Sequence, residues 1–453
     1  MSAVALMMRD AGHEGSGSDA DVFPPMSTYV AGLGFPVTYR FDAANLPTDL
    51  DLLVLGASAK LGGSDNPEVT AAVARGVKIT DFASLVGEAT SDRSNTVVAG
   101  SFGKSTCTAL MAHILREAGV DAGWMIGAIS PSLPATGHWG TSRDMVLEGD
   151  EYIVGNGDGR SKFALYHPDH LLLTSLIHDH VNVFPTFADY EAPFRALLAG
   201  LPSAGLAVMR DHPAIRAVAG LIPARVVWYD TVPCAGWFSR DVTYGETSSF
   251  TLVAPDGRQI AMTTSLLGEH NIENIVGVAA CLLERELVTE SALVAAVASF
   301  QGIRRRLDRL TTTSRVPIIE GFGSSYEKAR SAIEAVLLHY PERPLIVVFE
   351  PHTFSWRSRE ALNWYDTVFE GCARVLICPP PGHGAATHDQ SSFAEILDRV
   401  AATGIVSEGV ESVEAATSAL WNLQGNEIVL LLSSGPLLGL PDLLPGMFDQ
   451  SYA

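Results

Sequence analysis

Short apolar runs alternate along the chain with longer stretches in which apolar residues recur every three or four positions. The short runs are typical of buried strands and the longer stretches of amphipathic helices, so their alternation predicts an α/β fold with mostly parallel sheets. The predicted strands cover residues 50–56, 77–81, 96–99, 145–148, 171–175, 206–210, 226–229, 316–320, 345–349, 375–378 and 428–433. The predicted helices include residues 2–12, 67–75, 326–339 and 391–401, together with helices that start at residue 104 and near residue 275.

The length of 453 residues corresponds to about three domains of roughly 150 residues each. We predict an N-terminal Rossmann-like domain over residues 1–91, a central nucleotide-binding domain over residues 92–313 and a C-terminal Rossmann-like domain over residues 314–453. The first domain begins with a helix where such folds normally have a strand and a glycine-rich turn, so its first strand is missing. Residues 238–266 alternate between polar and apolar positions, which predicts an antiparallel β insertion in the central domain.

The most informative stretch lies between the predicted strand that ends at Ala99 and the helix that follows it. It has the pattern Gly-x-x-Gly-Lys-Ser-Thr, two residues shorter than the usual P-loop, and consists of Gly100, Ser101, Phe102, Gly103, Lys104, Ser105 and Thr106. Such a turn directs backbone N–H groups toward one point at the positive end of a helix dipole, which suits a polyphosphate. Lys104 would reach the β- and γ-phosphates, and the Ser105 hydroxyl would bind Mg²⁺. An ordinary glycine-rich turn between a strand and a helix is the alternative.

Candidate ligand-binding residues also follow three other predicted strands. Glu148 ends one apolar run, where a P-loop enzyme holds the carboxylate ligand of its Mg²⁺, although acidic turns are also common at protein surfaces. His178-Asp179-His180 follows a second strand and could supply a histidine ligand for another Mg²⁺ or Mn²⁺, although an Asp-His pair more often forms a hydrogen-bonded turn. Residues 379–384 form a Pro- and Gly-rich loop after a third strand, where open α/β sheets bind ligands.

Two further groups of residues have the chemistry of a nucleotide site. Asn271 and Asn274 lie three residues apart and therefore on one helical face, and their amides can both donate to and accept from adenine. Taken alone, a helix N-cap is the more common role of such an asparagine. Arg304, Arg305 and Arg306 form a cationic run near the predicted junction of the second and third domains. Arginines there could clamp a phosphate, whereas a solvated basic surface is the usual alternative.

The net charge of −21 restricts the possible partners. It argues against nucleic acid and anionic membranes, so anionic ligands must be held by local arginines, metal ions and helix ends. The five cysteines have neither metal-binding spacing nor an even disulfide framework, so we expect reduced thiols in a cytoplasmic protein. No apolar run is long enough to span a membrane, and residues 1–10 are too short and polar for a signal peptide.

These motifs, in this order, resemble those of the Mur ligase family, the ATP-dependent amide ligases of bacterial cell-wall peptide assembly. The resemblance covers nearly the whole chain and rests on the Gly-Lys-Ser-Thr loop, Glu148, Asp179-His180, His270-Asn271-x-x-Asn274 and Arg305-Arg306. Within the family, residues 150–152, 160–166, 19–28 and 433–440 are most similar to the murein peptide ligases, with the L-alanine ligases as the next branch.

The resemblance implies a role for each candidate residue. Lys104, His180 and Arg306 would be catalytic, and Mg²⁺ or Mn²⁺ would be bound at Ser105, Glu148 and His180. The residues implied to bind ATP are the phosphate loop of residues 100–106 together with His270, Asn271, Asn274, Arg305 and Arg306.

The implied reaction joins a carboxylate to an amine at the expense of ATP. The carboxylate attacks the γ-phosphate to give ADP and an acyl phosphate, and an amine then displaces phosphate. The implied acid is UDP-N-acetylmuramate or an analogue, the amine is an amino acid or a peptide, and the pathway is peptidoglycan synthesis or recycling.

Two departures from the family pattern leave other functions open. The N-terminal strand and the glycine-rich loop that faces the UDP diphosphate are missing, so either the start codon is assigned too late or UDP-muramate is held differently. The family's Glu/Asp-acid-aromatic-Gly/Ala-His-His segment is residues 320–326 here, with Gly321 in place of the second acid and Ser324 and Ser325 in place of the histidines. A related ligase acting on a different acid and amine, for instance in secondary metabolism, and a non-catalytic nucleotide-binding paralogue are therefore the alternatives.

Overall fold

The chain folds into two compact units. The computed structural model describes all of it except residues 21–25, 57–65, 156, 181–182 and 383–388 and the side chain of residue 221. The first unit consists of Met1–Val242, Ser249–Thr264 and Ile272–Phe300. The second unit consists of Thr243–Ser248, Ser265–Asn271 and Gln301–Ala453. Two short segments of the chain thus join the second unit before its C-terminal part begins.

Helices and strands alternate along most of the chain, as the hydrophobic pattern predicts. The strands are β1 (Gly17–Ser18), β2 (Val37–Thr38), β3 (Leu52–Leu55), β4 (Lys78–Asp81), β5 (Ser94–Ala99), β6 (Gly123–Met125), β7 (Gly137–His138), β8 (Asp144–Gly149), β9 (Ile153–Gly155), β10 (Asp158–Ser161), β11 (His170–Leu173), β12 (Leu206–Arg210), β13 (Arg225–Asp230), β14 (Trp237–Thr243), β15 (Ser248–Val253), β16 (Gln259–Thr264), β17 (Asp308–Arg309), β18 (Ile318–Gly321), β19 (Leu345–Phe349), β20 (Arg374–Ile377), β21 (Val406–Gly409) and β22 (Ile428–Leu432). The α-helices are α1 (Ser2–Asp10), α2 (Met26–Gly32), α3 (Pro67–Ala74), α4 (Phe82–Ala89), α5 (Lys104–Glu117), α6 (Phe187–Ala199), α7 (Pro213–Val218), α8 (Glu269–Glu284), α9 (Glu290–Ser299), α10 (Tyr326–His339), α11 (Phe354–Arg357), α12 (Phe393–Ala401), α13 (Val413–Ala419) and α14 (Leu440–Ser451).

A mostly parallel sheet organises the first unit. Within the described residues it has ten strands in the order β16-β15-β14-β13-β12-β11-β5-β8-β6-β7. The pairs from β14 to β6 are parallel, and β7 pairs antiparallel with β6. The connections from β14 to β15 and from β15 to β16 are too short for a parallel crossover, so these strands form antiparallel hairpins, as the pattern of residues 238–266 predicts.

The register of three neighbouring strands creates the candidate site. Val98 on β5 lies opposite Glu148 on β8, and Ala99 lies opposite Leu173 at the end of β11. The side chains of Val97, Leu147, Leu171 and their neighbours are buried, which explains why these strands are nearly continuous apolar runs. Because the three strands are parallel, their carboxyl ends meet at one edge, where the loops that follow them carry the polar residues.

The N-terminal part of the first unit contains two small parallel pairs among the described residues. β1 pairs with β2, and β3 pairs with β4. Helix α1 buries Ala3, Val4, Leu6 and Met7, which confirms the helix predicted at the start of the chain. Helix α3 begins where Asn66 accepts a hydrogen bond from the backbone N–H of Glu68 (2.9 Å) and proline occupies the first turn, a common helix start.

The second unit has its own parallel sheet, as the sequence predicts for the C-terminal region. Within the described residues the strand order is β17-β18-β22-β19-β20-β21, and only the β17–β18 pair is antiparallel. Near its C-terminus the Asp449 carboxylate accepts hydrogen bonds from the backbone N–H groups of Thr312, Thr313 and Ser314. Burial raises the pKa of Asp449, but these hydrogen bonds outweigh it and lower the pKa to about 2.

In the part of the chain that the structure describes, no helix has the length and apolar character needed to cross a lipid bilayer.

Candidate active site

Two glycines shape the loop that follows β5. Gly100 has a φ of 140° and Gly103 a φ of 82°, conformations that L side chains rarely adopt. A Cβ atom on Gly100 would lie 2.3 Å from Thr174 Oγ1, and one on Gly103 would lie 2.6 Å from Asn274 Oδ1. The loop therefore requires glycine at both positions, for backbone conformation and for space.

Hydrogen bonds tie the loop to the end of β11. Ser101 Oγ donates to Ile177 O (2.7 Å) and accepts from Tyr190 OH (2.8 Å). The backbone N–H of Phe102 donates to Ser175 Oγ (2.8 Å). Residues that follow β11, together with Tyr190 of α6, thus hold the loop in place.

Helix α5 begins at Lys104, and its first turn also contains Thr106. Gly103, the N-cap residue, has no side chain to cap this turn. The backbone N–H groups of the first helical turn and the helix dipole therefore favour an anion. Lys104 Nζ donates to Gly100 O (2.6 Å) and lies 2.8 Å from Glu151 Oε2. The Lys104 ammonium group therefore lies folded against the loop and is paired with a carboxylate.

Ser105 and Glu148, predicted from separate motifs, are in direct contact. Ser105 Oγ donates to Glu148 Oε1 (2.6 Å), and the backbone N–H of Gly127 donates to Glu148 Oε2 (2.6 Å). Burial raises the pKa of Glu148, and these hydrogen bonds oppose the shift. A hydroxyl beside a carboxylate is the oxygen donor set that Mg²⁺ prefers, so these residues fit the ion.

Across the described residues, no three or more His, Cys, Asp or Glu side chains are grouped to hold a metal.

Glu151 is a central residue of the site that the sequence analysis missed. Its carboxylate is fully buried and contacts Lys104, His180 Nε2 (3.3 Å) and the hydroxyl of Tyr190 (3.4 Å). His180, predicted as a metal ligand, therefore contacts Glu151, and its backbone has a φ of 54°. The signal in the sequence was a second acid soon after β8, within Asp150-Glu151-Tyr152, but nothing in the sequence shows its partners.

The two predicted adenine-binding asparagines lie inside α8, so neither is its N-cap. Asn274 packs against the phosphate loop at Gly103 and accepts from the thiol of Cys107 (3.3 Å). Asn271 Nδ2 donates to Leu267 O (2.8 Å), within the turn that precedes the helix. The structure thus places Asn274 at the phosphate loop and Asn271 in the first turn of α8, bonded to the turn that precedes the helix.

The predicted arginines belong to the second unit. Arg305 lies 3.2 Å from Glu320 Oε1 and donates to Ser433 O (3.0 Å). The guanidinium groups of Arg305 and Arg306 each lie 5.4 Å from the ring centre of Phe322. In the same unit, burial and then the neighbouring Arg306 and His339 side chains lower the pKa of His270 to about 4, so its ring is neutral at pH 7.

The segment that departs from the family pattern has clear structural roles. Ser325 caps α10 by accepting from Lys328 N–H (3.4 Å), and Gly323 O accepts from the indole of Trp356 (2.8 Å). A Cβ on Gly323 would lie 2.7 Å from Leu432 Cγ. The predicted ligand loop at residues 379–384 lies partly outside the described residues. The same is true of residues 19–28, one of the segments that resemble murein peptide ligases.

Comparison with known proteins identifies the family of the chain. The profile described as the Mur ligase middle domain matches residues 98–282, and the profile described as the Mur ligase family, catalytic domain, matches residues 1–94. A UDP-N-acetylmuramate–L-alanine ligase of Xanthomonas euvesicatoria pv. vesicatoria is 31% identical over 447 residues, covering 96% of this chain and 91% of the relative.

Two solved structures share the fold. The UDP-N-acetylmuramate–alanine ligase of Thermotoga maritima superposes with a TM-score of 0.81 at 18% sequence identity. The match covers 99% of this chain and 96% of the Thermotoga chain. A murein peptide ligase of Psychrobacter arcticus superposes with a TM-score of 0.65 at 21% sequence identity. The match covers 100% of this chain and 97% of the Psychrobacter chain.

The expectation that murein peptide ligases are the nearest branch is not confirmed, because several whole-chain relatives are named L-alanine ligases. The three-domain α/β fold and the ATP-dependent chemistry of the family are confirmed. The chain therefore belongs to the Mur ligase family, the ATP-dependent ligases that form C–N bonds in peptidoglycan synthesis.

Proposed function

We propose that this ligase joins UDP-N-acetylmuramate, or a closely related acid, to L-alanine. The observation that carries the catalytic part of the proposal is that Lys104, held by Gly100 O and Glu151, and the Ser105–Glu148 pair lie at the same sheet edge. The choice of acid and amine rests on the names of relatives that align over 96% or more of the chain.

The first step makes the acid reactive. A carboxylate oxygen attacks the γ-phosphorus, the bond to the β-phosphate oxygen breaks, and the products are ADP and an acyl phosphate. Lys104 would leave Glu151 and Gly100 O to contact the β- and γ-phosphate oxygens, which offsets the charge that accumulates between two anions. The N–H groups of the loop and of the first turn of α5 would hold the phosphates.

The second step forms the amide. The amine nitrogen attacks the acyl carbon to give a tetrahedral intermediate, which expels phosphate, and the nitrogen loses its proton to solvent. A carboxylate itself has no good leaving group, so phosphorylation supplies one.

The residues that would hold Mg²⁺, or Mn²⁺ in its place, are Ser105 and Glu148, with His180 at a second position. The bound ion supplies Lewis-acid stabilisation of the phosphate oxygens. Glu151 would orient His180 and keep Lys104 close to the loop until ATP arrives. Arg306 would add positive charge near the transferred phosphate, and His270, Asn271 and Asn274 would contact the adenosine part.

A second candidate amine is the tripeptide L-Ala-γ-D-Glu-meso-diaminopimelate. The specific observation in its favour is the similarity of residues 150–152 and 160–166 to murein peptide ligases. A murein peptide ligase of Neisseria is also 26% identical over 67% of this chain, with a TM-score of 0.60.

The test supplies ATP, Mg²⁺ and UDP-N-acetylmuramate with either L-alanine or the tripeptide and measures ADP and the UDP-linked product. We expect product with L-alanine, and more ADP when acid and amine are both present. Lys104→Ala should abolish turnover, whereas Lys78→Ala, a change at a largely exposed lysine of the same unit, should not. Product with the tripeptide alone would replace L-alanine by the second candidate, and no product with either would refute both.

A further inference from the structure

One buried histidine holds both of the short segments that join the second unit. His339, the last residue of α10, contacts Thr243–Ser248 and Ser265–Asn271. Its Nδ1 lies 2.8 Å from Gly245 O, and its Nε2 lies 2.7 Å from the backbone nitrogen of Gly268. The two segments are thus hydrogen-bonded to opposite sides of one ring.

These partners fix the protonation of His339. A backbone N–H can only donate, so Nε2 accepts from Gly268, and a carbonyl oxygen can only accept, so Nδ1 carries the proton and donates to Gly245. The residue is 3% exposed, and burial lowers the pKa of His339, which favours the same neutral form. The ring of Tyr244 (5.3 Å between centres) and the hydroxyl of Ser248 (3.5 Å) also face it.

The Gly268 side of this contact shapes the turn before α8. Gly268 has a φ of 92°, and a Cβ atom there would lie 2.5 Å from His270 Cε1. The backbone N–H of Asn271 donates to Gly268 O (3.0 Å), and the Asn271 side chain donates to Leu267 O (2.8 Å). The orientation of His270 and Asn271 therefore depends on how Gly268 is held.

We propose that His339 is a positioning residue for the adenosine end of the nucleotide site. It accepts the Gly268 N–H and so holds His270 and Asn271 in place, without touching the substrate itself. The inference rests on the proposed function, in which those two residues contact the adenosine part of ATP. Because the phosphate loop lies in a different part of the chain, His339 should affect binding of the nucleoside and leave binding of the phosphates unchanged.

The test compares two amide substitutions. His339→Gln extends an amide oxygen toward the position of Nε2 and can still accept from Gly268, whereas His339→Asn is too short and can only replace the contact with Gly245. For each variant we measure the dissociation constants of ATP and of inorganic tripolyphosphate, and kcat and KM for ATP. We expect His339→Asn to weaken ATP binding and to raise KM about tenfold, the usual effect of one lost hydrogen bond, with tripolyphosphate affinity and kcat nearly unchanged. His339→Gln should stay within about threefold of wild type.

Gly268→Ala tests the same turn independently, and its Cβ should cause the same selective loss of ATP affinity through contact with His270. The matched control is His113→Gln in α5, a buried histidine that contacts Ala296 O (3.1 Å), which should lower stability without separating ATP from tripolyphosphate. Equal losses for both ligands, or unchanged ATP affinity in His339→Asn and Gly268→Ala, would overturn the inference while the proposed function stands. A wild-type protein that binds neither ligand would instead refute the proposed function, and the inference with it.

Discussion

The buried ion pair between Lys104 and Glu151 should have a measurable coupling energy. The two charged groups are 2.8 Å apart, and the side chains are 15% and 0% exposed. At an effective dielectric constant of about 20, the attraction at this distance is about 6 kcal/mol. Desolvation of a fully buried carboxylate offsets most of that gain. A net coupling of about 2 kcal/mol remains, which is typical of a charge-assisted hydrogen bond.

A double-mutant cycle measures this coupling. Lys104→Met, Glu151→Gln and the double variant are unfolded in urea without nucleotide, and the free energies of unfolding are compared. We expect Glu151→Gln to cost about 2–3 kcal/mol, because it leaves the lysine charge partly buried beside Gly100 O. The double variant should be about 2 kcal/mol more stable than the sum of the single changes predicts.

The control cycle uses the exposed pair Lys78–Glu88, whose charged groups are 3.5 Å apart with side chains 65% and 70% exposed. Its coupling should be below about 1 kcal/mol, as for most surface pairs. A Lys104–Glu151 coupling no larger than that of the control would refute the reasoning. Saturating ATP should reduce the Lys104–Glu151 coupling, because the proposed mechanism moves the ammonium group from the carboxylate to phosphate.

Three further predictions follow from single contacts. Ser105→Ala removes the hydroxyl on Glu148, so the Mg²⁺ concentration for half-maximal ADP release should rise about tenfold, and an unchanged Mg²⁺ dependence would contradict the assignment. Gly103→Ala places a Cβ 2.6 Å from Asn274 Oδ1 at a positive φ, so ATP affinity, measured by titration calorimetry, should fall at least tenfold; wild-type affinity would show that the loop tolerates a side chain. Asp449 has a pKa lowered to about 2, so its stabilising effect is complete above the unfolded pKa of about 3.9 and is lost as the pH falls toward 2. Asp449→Asn should therefore lower the melting temperature at pH 7, and the difference from wild type should shrink between pH 4 and pH 2; a constant difference would contradict this sign.

The sequence predicted the part of the site that depends on strand ends. Apolar runs that end at Ala99 and near Glu148 identify neighbouring parallel strands, and parallel strands present their carboxyl ends at one edge. The contact between Ser105 and Glu148 follows from that geometry, although the two residues belong to separate motifs.

Residues whose role depends on a distant partner were not predictable in this way. Glu151 is one of several acids after β8, and its importance comes from burial against Lys104 and His180, which no local pattern shows. The two asparagines of α8 were correctly placed on a helix, but the packing of Asn274 against Gly103 requires the folded loop.

The organisation of the chain was also only partly predictable. Hydrophobic periodicity located many of the strands, several of the helices and the β insertion, because each of these is a local pattern. Thr243–Ser248 and Ser265–Asn271 belong to the second unit, where both are hydrogen-bonded to His339, and this membership has no periodic signal in the sequence. Domain boundaries after residues 91 and 313 stay predictions.

The most direct test of the central claim follows an oxygen atom. UDP-N-acetylmuramate with an ¹⁸O-labelled carboxylate is incubated with the protein, ATP, Mg²⁺ and L-alanine, and the released phosphate is analysed by mass spectrometry. If the carboxylate attacks the γ-phosphate, one labelled oxygen passes into inorganic phosphate for each amide formed. Amide product accompanied by unlabelled phosphate would contradict the acyl-phosphate pathway that we assign to this site.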